Sequence, residues 1–145
     1  MIQFFIPGTP KGQPRPKAFS RGGHAGVYDP KTANEWKQNV RDAAKRCGEK
    51  FISNDPLELT LNFKIARAKG HYRSGKNSHL LKPNAQYWHV SKPDSDNFAK
   101  AVMDALSDYG FWPDDSIVAR LVVTKIYTNT RETGCHLEVK LLSFV

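Results

Sequence analysis

A short acidic segment carries the residues of this chain that are best suited to chemistry. Asp94 and Asp96 lie two residues apart, and Lys100 follows four residues after the second. A further acidic pair, Asp114 and Asp115, comes after the next Gly/Pro break. Hard cations such as Mg²⁺ take oxygen ligands and usually bind one or two carboxylates together with substrate phosphates. The segment therefore predicts a divalent-metal site that acts on a polyanion.

The charge of the remaining chain supports a polyanionic partner. The 145 residues include 22 Lys and Arg against 14 Asp and Glu, which gives a net charge of +8 at pH 7. Residues 59–93 contain seven Lys or Arg and no acid, whereas residues 94–145 hold eight of the 14 acids. An excess of clustered positive charge favours nucleic acid as the partner. The candidate phosphate contacts are Lys11, Arg15, Lys17, Arg67, Lys69, Arg73 and Lys76.

Length and composition predict one globular domain over residues 1–145. A chain of this size buries about 68–70% of its unfolded surface, which is enough for a core without disulfides. Cys47 and Cys135 form no C-x-x-C pair, so a reducing compartment and no structural zinc are expected. Neither a signal peptide nor an apolar run of 18 residues is evident, so the expected location is the cytoplasm, without a membrane partner.

Hydrophobic periodicity predicts an α+β fold with the element order β-α-β-α-β-β. Strands are expected over residues 2–6 and 57–65, with a helix from Thr32 or Asn34 to about Cys47 between them. A second helix begins at Ser95 or Asp96 and ends near Ser107. The last two strands, over residues 116–128 and 136–142, are expected to form an antiparallel hairpin. The elements together predict a mixed sheet with helices packed on it.

Two connections are long enough to suggest function. Residues 9–29 are rich in Pro, Gly and basic residues, so we expect a functional loop without regular structure. Residues 67–86 lack periodicity and form a basic excursion. Trp88 and the tyrosines could stack on unpaired bases at a branch point, whereas Trp36 and Trp112 are expected in the core.

Asp94 and Asp96 lie at the N-terminus of the second predicted helix, and this position favours a cation site. A helix N-terminus carries partial positive charge, which stabilises carboxylates as anions. Lys100 lies on the same helical face as Asp96, where it can bond that carboxylate or reach a phosphate. If the strand after Asp115 lies beside this helix, Asp115 or Asp114 completes the site. The plainer interpretation is that such residues only cap the helix and pair on its surface.

Three motifs resemble the RusA family of Holliday-junction resolvases, which are phage- and prophage-type endonucleases. They are K-P-D-S-D-N-F-A-K at residues 92–100, D-A-L at 104–106 and G-F-W-P-D-D at 110–115, before a strand that ends in Lys125. The resemblance covers nearly the whole chain and is most specific over residues 92–115. It implies a RusA-like fold and a homodimer that cuts two opposing strands of a four-way junction in DNA recombination and repair.

The resemblance also implies roles for individual residues. Asp94, Asp96 and Asp115 correspond to the metal-binding and catalytic carboxylates, and Asp114 is a further candidate beside them. Lys100 corresponds to the catalytic lysine. The implied cofactor is Mg²⁺, with Mn²⁺ as the other candidate. Two alternatives stay open: a less selective Mg²⁺-dependent nuclease, and a non-catalytic nucleic-acid-binding module whose acids only cap and pair.

Overall fold

The computed structural model describes residues 1–15, 17–28, 31–128 and 131–143 as an α+β fold. Two helices pack on a four-stranded mixed sheet, as the sequence predicts, and a separate two-stranded sheet is added to it. The elements in chain order are β1 (Ile2–Pro7), β2 (Lys17–Arg21), β3 (His24–Tyr28), α1 (Asn34–Cys47), β4 (Leu57–Ala66), α2 (Ser95–Tyr109), β5 (Val118–Thr128) and β6 (Gly134–Leu141).

The main sheet is built around β4. The strand order is β1-β6-β4-β5, in which β4 is antiparallel to β6 and parallel to β5. The predicted hairpin between the last two strands is therefore wrong, because β4 lies between them. Alternate residues of β4, from Leu57 to Phe63, are fully buried. Pairing on both edges satisfies the backbone N–H and C=O groups of this buried strand. Its apolar side chains are covered by the helix layer, as in the contact of Phe63 with Phe98.

Both predicted helices are confirmed. α1 ends at Gly48, which adopts the left-handed conformation with φ 73°. The apolar stripe of α2 is buried, and the ring of Phe98 stacks on Phe63 of β4 with 4.8 Å between centroids. Trp36 and Trp112 lie in the core, as expected. Within the described part of the chain, no helix is long and apolar enough to cross a membrane.

The connection over residues 9–29 differs from its prediction. It contains the antiparallel hairpin of β2 and β3, closed by Gly22 and Gly23 with φ values of 57° and 80°. Paired positive φ angles match a two-residue hairpin turn, and glycine adopts them without a steric cost. The prolines that argued against regular structure all precede residue 17. Pro16, Asp29 and Pro30 lie outside the described residues.

The basic excursion over residues 67–86 contains two short 3₁₀ turns, Lys69–His71 and Gly75–Asn77. The chain then returns along the outer edge of β5. The backbone N–H of His89 donates to the carbonyl of Lys125 at 3.0 Å, and that of Tyr127 donates to Tyr87 at 2.9 Å. This short pairing places residues 87–89 beside the end of β5, a few residues before α2 begins.

Candidate active site

The carboxylates at the start of α2 are exposed and available. Asp94 occupies the N-cap position with φ −66° and ψ 158°, yet its side chain makes no capping hydrogen bond. Asp96 lies in the first helical turn and is also exposed. The usual structural role of an aspartate at a helix start is therefore not the role of the Asp94 side chain.

The segment over residues 11–15 wraps around the start of α2. The backbone N–H of Gln13 donates to the carbonyl of Asn97 at 3.2 Å. A Cβ atom added to Gly12 would collide with the Asn97 amide and lie 3.0 Å from Pro93. Glycine permits this close approach without displacing either side chain. The contact brings Arg15 beside the carboxylates.

Two adjoining clefts meet at Arg15 and Asn97. The first has a volume of about 570 Å³, and its lining is Arg15, Lys92, Pro93, Asp94 and Asn97. The second has a volume of about 350 Å³, and its lining is Gln13, Pro14, Arg15, Asp96, Asn97 and Lys100. No ion pair between described residues neutralises Asp94 or Asp96 in these clefts. Cationic side chains therefore line the same two clefts as carboxylates that pair with none of the described cations.

Lys100 pairs with Asp104 and not with Asp96. Its ammonium lies 3.5 Å from the Asp104 carboxylate, and the lysine side chain is 62% exposed. An ion pair this open is weak, and it leaves the lysine able to reorient. Lys100 is therefore held along α2 but stays within reach of an anion in the second cleft.

Lys125 fixes the turn that precedes Asp94. Its ammonium donates to the carbonyls of Ser91 at 2.9 Å and Pro93 at 2.8 Å. The Pro93 carbonyl belongs to the peptide group that enters Asp94, so these bonds set the direction of the chain there. His89 is buried nearby, and this burial, together with the charge of Lys125, lowers the pKa of the His89 imidazole. The signal in the sequence that could have indicated this role of Lys125 is its position as the one lysine in the mostly apolar strand β5.

The second acidic pair divides into a cap and an available carboxylate. Asp114 accepts a hydrogen bond from the backbone N–H of Ser116 at 3.1 Å and caps the 3₁₀ turn Asp115–Ile117. Hydrogen bonding from Ser116 lowers the pKa of Asp114. Asp115 is half-buried, and its carboxylate makes no hydrogen bond or ion pair within the described residues. Of the two, Asp115 is the better candidate ligand.

Asp115 does not reach the other aspartates within one chain. α2 runs from the Lys125 end of β5 towards the beginning of that strand, where Asp115 lies. The 15 residues of α2 rise about 22 Å. Asp94 precedes the first turn of this helix, whereas Asp115 follows its last turn. Across the described ranges, no three His, Cys, Asp or Glu side chains are grouped so that they could hold a metal ion. The expected convergence within one chain is not met.

A comparison with protein families decides the relationship. A family model described as "Endodeoxyribonuclease RusA" matches residues 7–140, which is nearly the whole chain. This chain belongs to the RusA family. A Bacillus subtilis (strain 168) protein described as "Uncharacterized protein YqaN" is 31% identical over 132 residues, or 88% of each chain. RusA nucleases are endodeoxyribonucleases that act on branched DNA junctions and generally require a divalent metal.

The basic residues predicted to contact DNA fall into separate surfaces of this RusA-family protein. Arg15 lies in both clefts, whereas Lys11 lines a pocket beside the start of α1 with Thr32 and Glu35. Lys17 belongs to β2, and its side chain is outside the described part of the structure. Arg15 is thus the member of the set that lies beside the carboxylates.

The remaining members lie in the basic excursion. Arg67 donates to the Gln86 carbonyl at 2.6 Å, and Arg73 donates to the Leu81 carbonyl at 3.2 Å. Both arginines help to hold the excursion together. Lys69 and Lys76 are exposed on its two 3₁₀ turns. Lys92 is not among the predicted phosphate contacts, yet it lines the first cleft together with Asp94.

Replacement of Lys125 tests whether it holds this site together. We expect Lys125→Met to lower the free energy of unfolding by about 1–3 kcal/mol, because two carbonyls lose a charged donor. Urea denaturation measures the change. Lys64→Met is the matched control, since Lys64 lies on the neighbouring strand β4, and its cost should stay within about 0.5 kcal/mol. Equal costs for the two variants would contradict the role of Lys125.

Proposed function

We propose that this protein is a Mg²⁺-dependent endodeoxyribonuclease that resolves four-way DNA junctions by hydrolysing phosphodiester bonds in opposing strands. The observation that carries the proposal is the composition of the two clefts at the start of α2. The carboxylates of Asp94 and Asp96, which form no ion pair with a described residue, share them with Arg15, Lys92 and Lys100. Carboxylates that form no ion pair with these basic side chains can act as metal ligands. The basic side chains can bind the phosphates of DNA.

The available side chains fit a hard cation and a phosphodiester. Asp94 and Asp96 offer carboxylate oxygens, which are the ligands that Mg²⁺ prefers, and Mn²⁺ could take the same donors. A bound divalent ion supplies Lewis-acid stabilisation of the scissile phosphate and lowers the pKa of water. Arg15 and Lys92 bind and orient the phosphate backbone. Lys100 stabilises the negative charge that develops on the reacting phosphate.

The separation of Asp115 from Asp94 supports a homodimer. A four-way junction has two-fold character, and a two-fold dimer presents two equivalent sites to opposing strands. In such a dimer, Asp115 of the partner subunit can meet Asp94 and Asp96 if the two copies of β5 lie side by side in opposite directions. The long distance within one chain then becomes a short distance between chains.

The outer edge of β5 is suited to this pairing. The bonds from His89 to Lys125 and from Tyr127 to Tyr87 show that odd-numbered residues of β5 direct their backbone polar groups away from β4. By the two-residue repeat of a strand, Leu121 and Val123 do the same. Leu121 is 42% exposed there. Antiparallel pairing centred on Leu121 can extend over residues 118–124, because residues 87–89 already pair with the edge at residues 125–127. This arrangement directs Asp115 of one chain towards the Lys125 end of the other, where Asp94 lies.

Asp94→Asn separates metal-dependent cleavage from DNA binding. We expect it to slow cleavage of a synthetic four-way junction by more than about a hundredfold with Mg²⁺, because removing a carboxylate ligand costs several kcal/mol of transition-state stabilisation. Junction binding measured in EDTA should stay close to wild type, since cations supply the affinity. Asp108→Asn is the matched control, because Asp108 lies near the far end of the same helix and pairs with Arg41.

The substrates in this assay decide between the proposal and its alternatives. A resolvase cuts the four-way junction much faster than linear duplex or a flap, and does so in opposing strands. Equal rates on all substrates would indicate a less selective nuclease. Binding without any Mg²⁺-dependent product would indicate a non-catalytic module, and wild-type cleavage by Asp94→Asn would contradict the metal assignment.

Leu121→Lys tests the proposed interface. Two lysines would meet at the centre of the paired edges, so we expect the dimer to dissociate and junction cleavage to fall with it. Analytical ultracentrifugation measures the association. Leu141→Lys is the control, because Leu141 is 56% exposed but belongs to β6, away from the β5 edge. A Leu121→Lys protein that dimerises as tightly as wild type would refute this interface.

A further inference from the structure

One of the three tryptophans is presented to solvent. Trp36 and Trp112 are 1% and 2% exposed, whereas Trp88 is 59% exposed. Its neighbours Tyr87 and Val90 are 55% and 72% exposed. Large contiguous apolar side chains are costly to leave in water and mark a surface that binds something. Trp88 and its neighbours therefore form a candidate binding surface.

Trp88 is held by paired backbone. It forms an isolated antiparallel bridge with Ile126 of β5, and the hydrogen bonds of residues 87 and 89 flank it on both sides. The ring of Tyr87 meets the indole edge to face, with 5.1 Å between centroids and an interplanar angle of 85°. The indole is therefore oriented before any ligand arrives, and ordering it costs little on binding.

The basic residues around Trp88 and its exposed indole indicate a ligand that is both anionic and aromatic. Residues 59–93 include no acid and seven basic residues. Trp88 lies six residues before Asp94, and even a fully extended segment of that length spans only about 20 Å. A nucleotide combines a phosphate with an aromatic base, and base stacking on an exposed tryptophan tolerates any sequence.

We propose that Trp88 stacks on an unpaired nucleobase of DNA beside the cleavage site. Bases in an intact duplex are already stacked on each other, so the indole gains a partner where pairing is interrupted, as at a branch point. The inference rests on the proposed action on branched DNA and adds the group that recognises the opened bases. A protein partner at the same patch is the competing occupant, and single-stranded DNA distinguishes the two.

The test uses a fluorescein-labelled single-stranded oligothymidylate in EDTA, with fluorescence anisotropy as the readout. Trp88→Ala should weaken binding by about tenfold to hundredfold, while Trp88→Phe, which keeps an aromatic ring, should stay within a few-fold of wild type. The matched control is Ile52→Ala, because Ile52 is 92% exposed on a distant connection. Its binding should equal that of wild type.

A second measurement needs no substitution. The other two tryptophans are buried, so acrylamide quenching of the wild-type protein reports on Trp88, and the unlabelled oligonucleotide should protect it. Unchanged quenching, or wild-type affinity of Trp88→Ala, would overturn the inference. Neither assay involves metal or cleavage. A protein that fails them but still resolves junctions refutes the stacking role alone, and one that passes them but cuts no junction refutes the proposed function.

Discussion

The opposite directions of α2 and β5 decide which side chains of this chain can act together. Lys125, near the end of β5, holds the carbonyls that lead into α2, so the helix starts at one end of the strand and finishes at the other. Asp94 and Asp96 are thereby fixed at one end and Asp115 at the other. The same arrangement leaves most of the outer edge of β5 open to a second chain. The proposed catalytic site and the proposed dimer interface both follow from this one packing arrangement.

The charges at the start of α2 are the electrostatic basis of the proposed metal site. Aspartates in contact with arginine and lysine would ordinarily form ion pairs, but Asp94 and Asp96 form none with described residues although they share clefts with Arg15 and Lys92. A metal and a phosphate together would satisfy both signs of charge, as neither could alone.

Local structure was readable from the sequence, whereas strand partners were not. The helices, and the alternation in β4, follow from the spacing of apolar residues, which reflects contact with one core face. The position of β4 between β5 and β6 depends on competition among all strands for burial, so adjacency in sequence was misleading. The sequence does not predict the hairpin of β2 and β3, because the prolines before residue 17 favour an irregular loop. The adjacent Gly22 and Gly23, which form the hairpin turn, are the opposing signal.

The candidate site could also be predicted from the sequence only in its local part. Asp94, Asp96 and Lys100 are close in sequence and share one helix, so their proximity required no long-range information. The role of Lys125 depends on where residues 87–93 return to the sheet, and the position of Asp115 depends on the direction of β5. Both are long-range properties. The motifs identified the residues, but only the fold shows that one chain separates them.

Mixing two inactive variants tests most directly whether the site is shared between subunits. Asp94→Asn and Asp115→Asn proteins, each inactive alone, are refolded together and assayed on a four-way junction with Mg²⁺. If sites are shared, a mixed dimer carries both changes in one site and neither in the other, and an equal mixture regains about a quarter of the wild-type sites. If each chain builds its own site, every site in the mixture keeps one damaged ligand. Continued inactivity of verified mixed dimers would contradict the shared site.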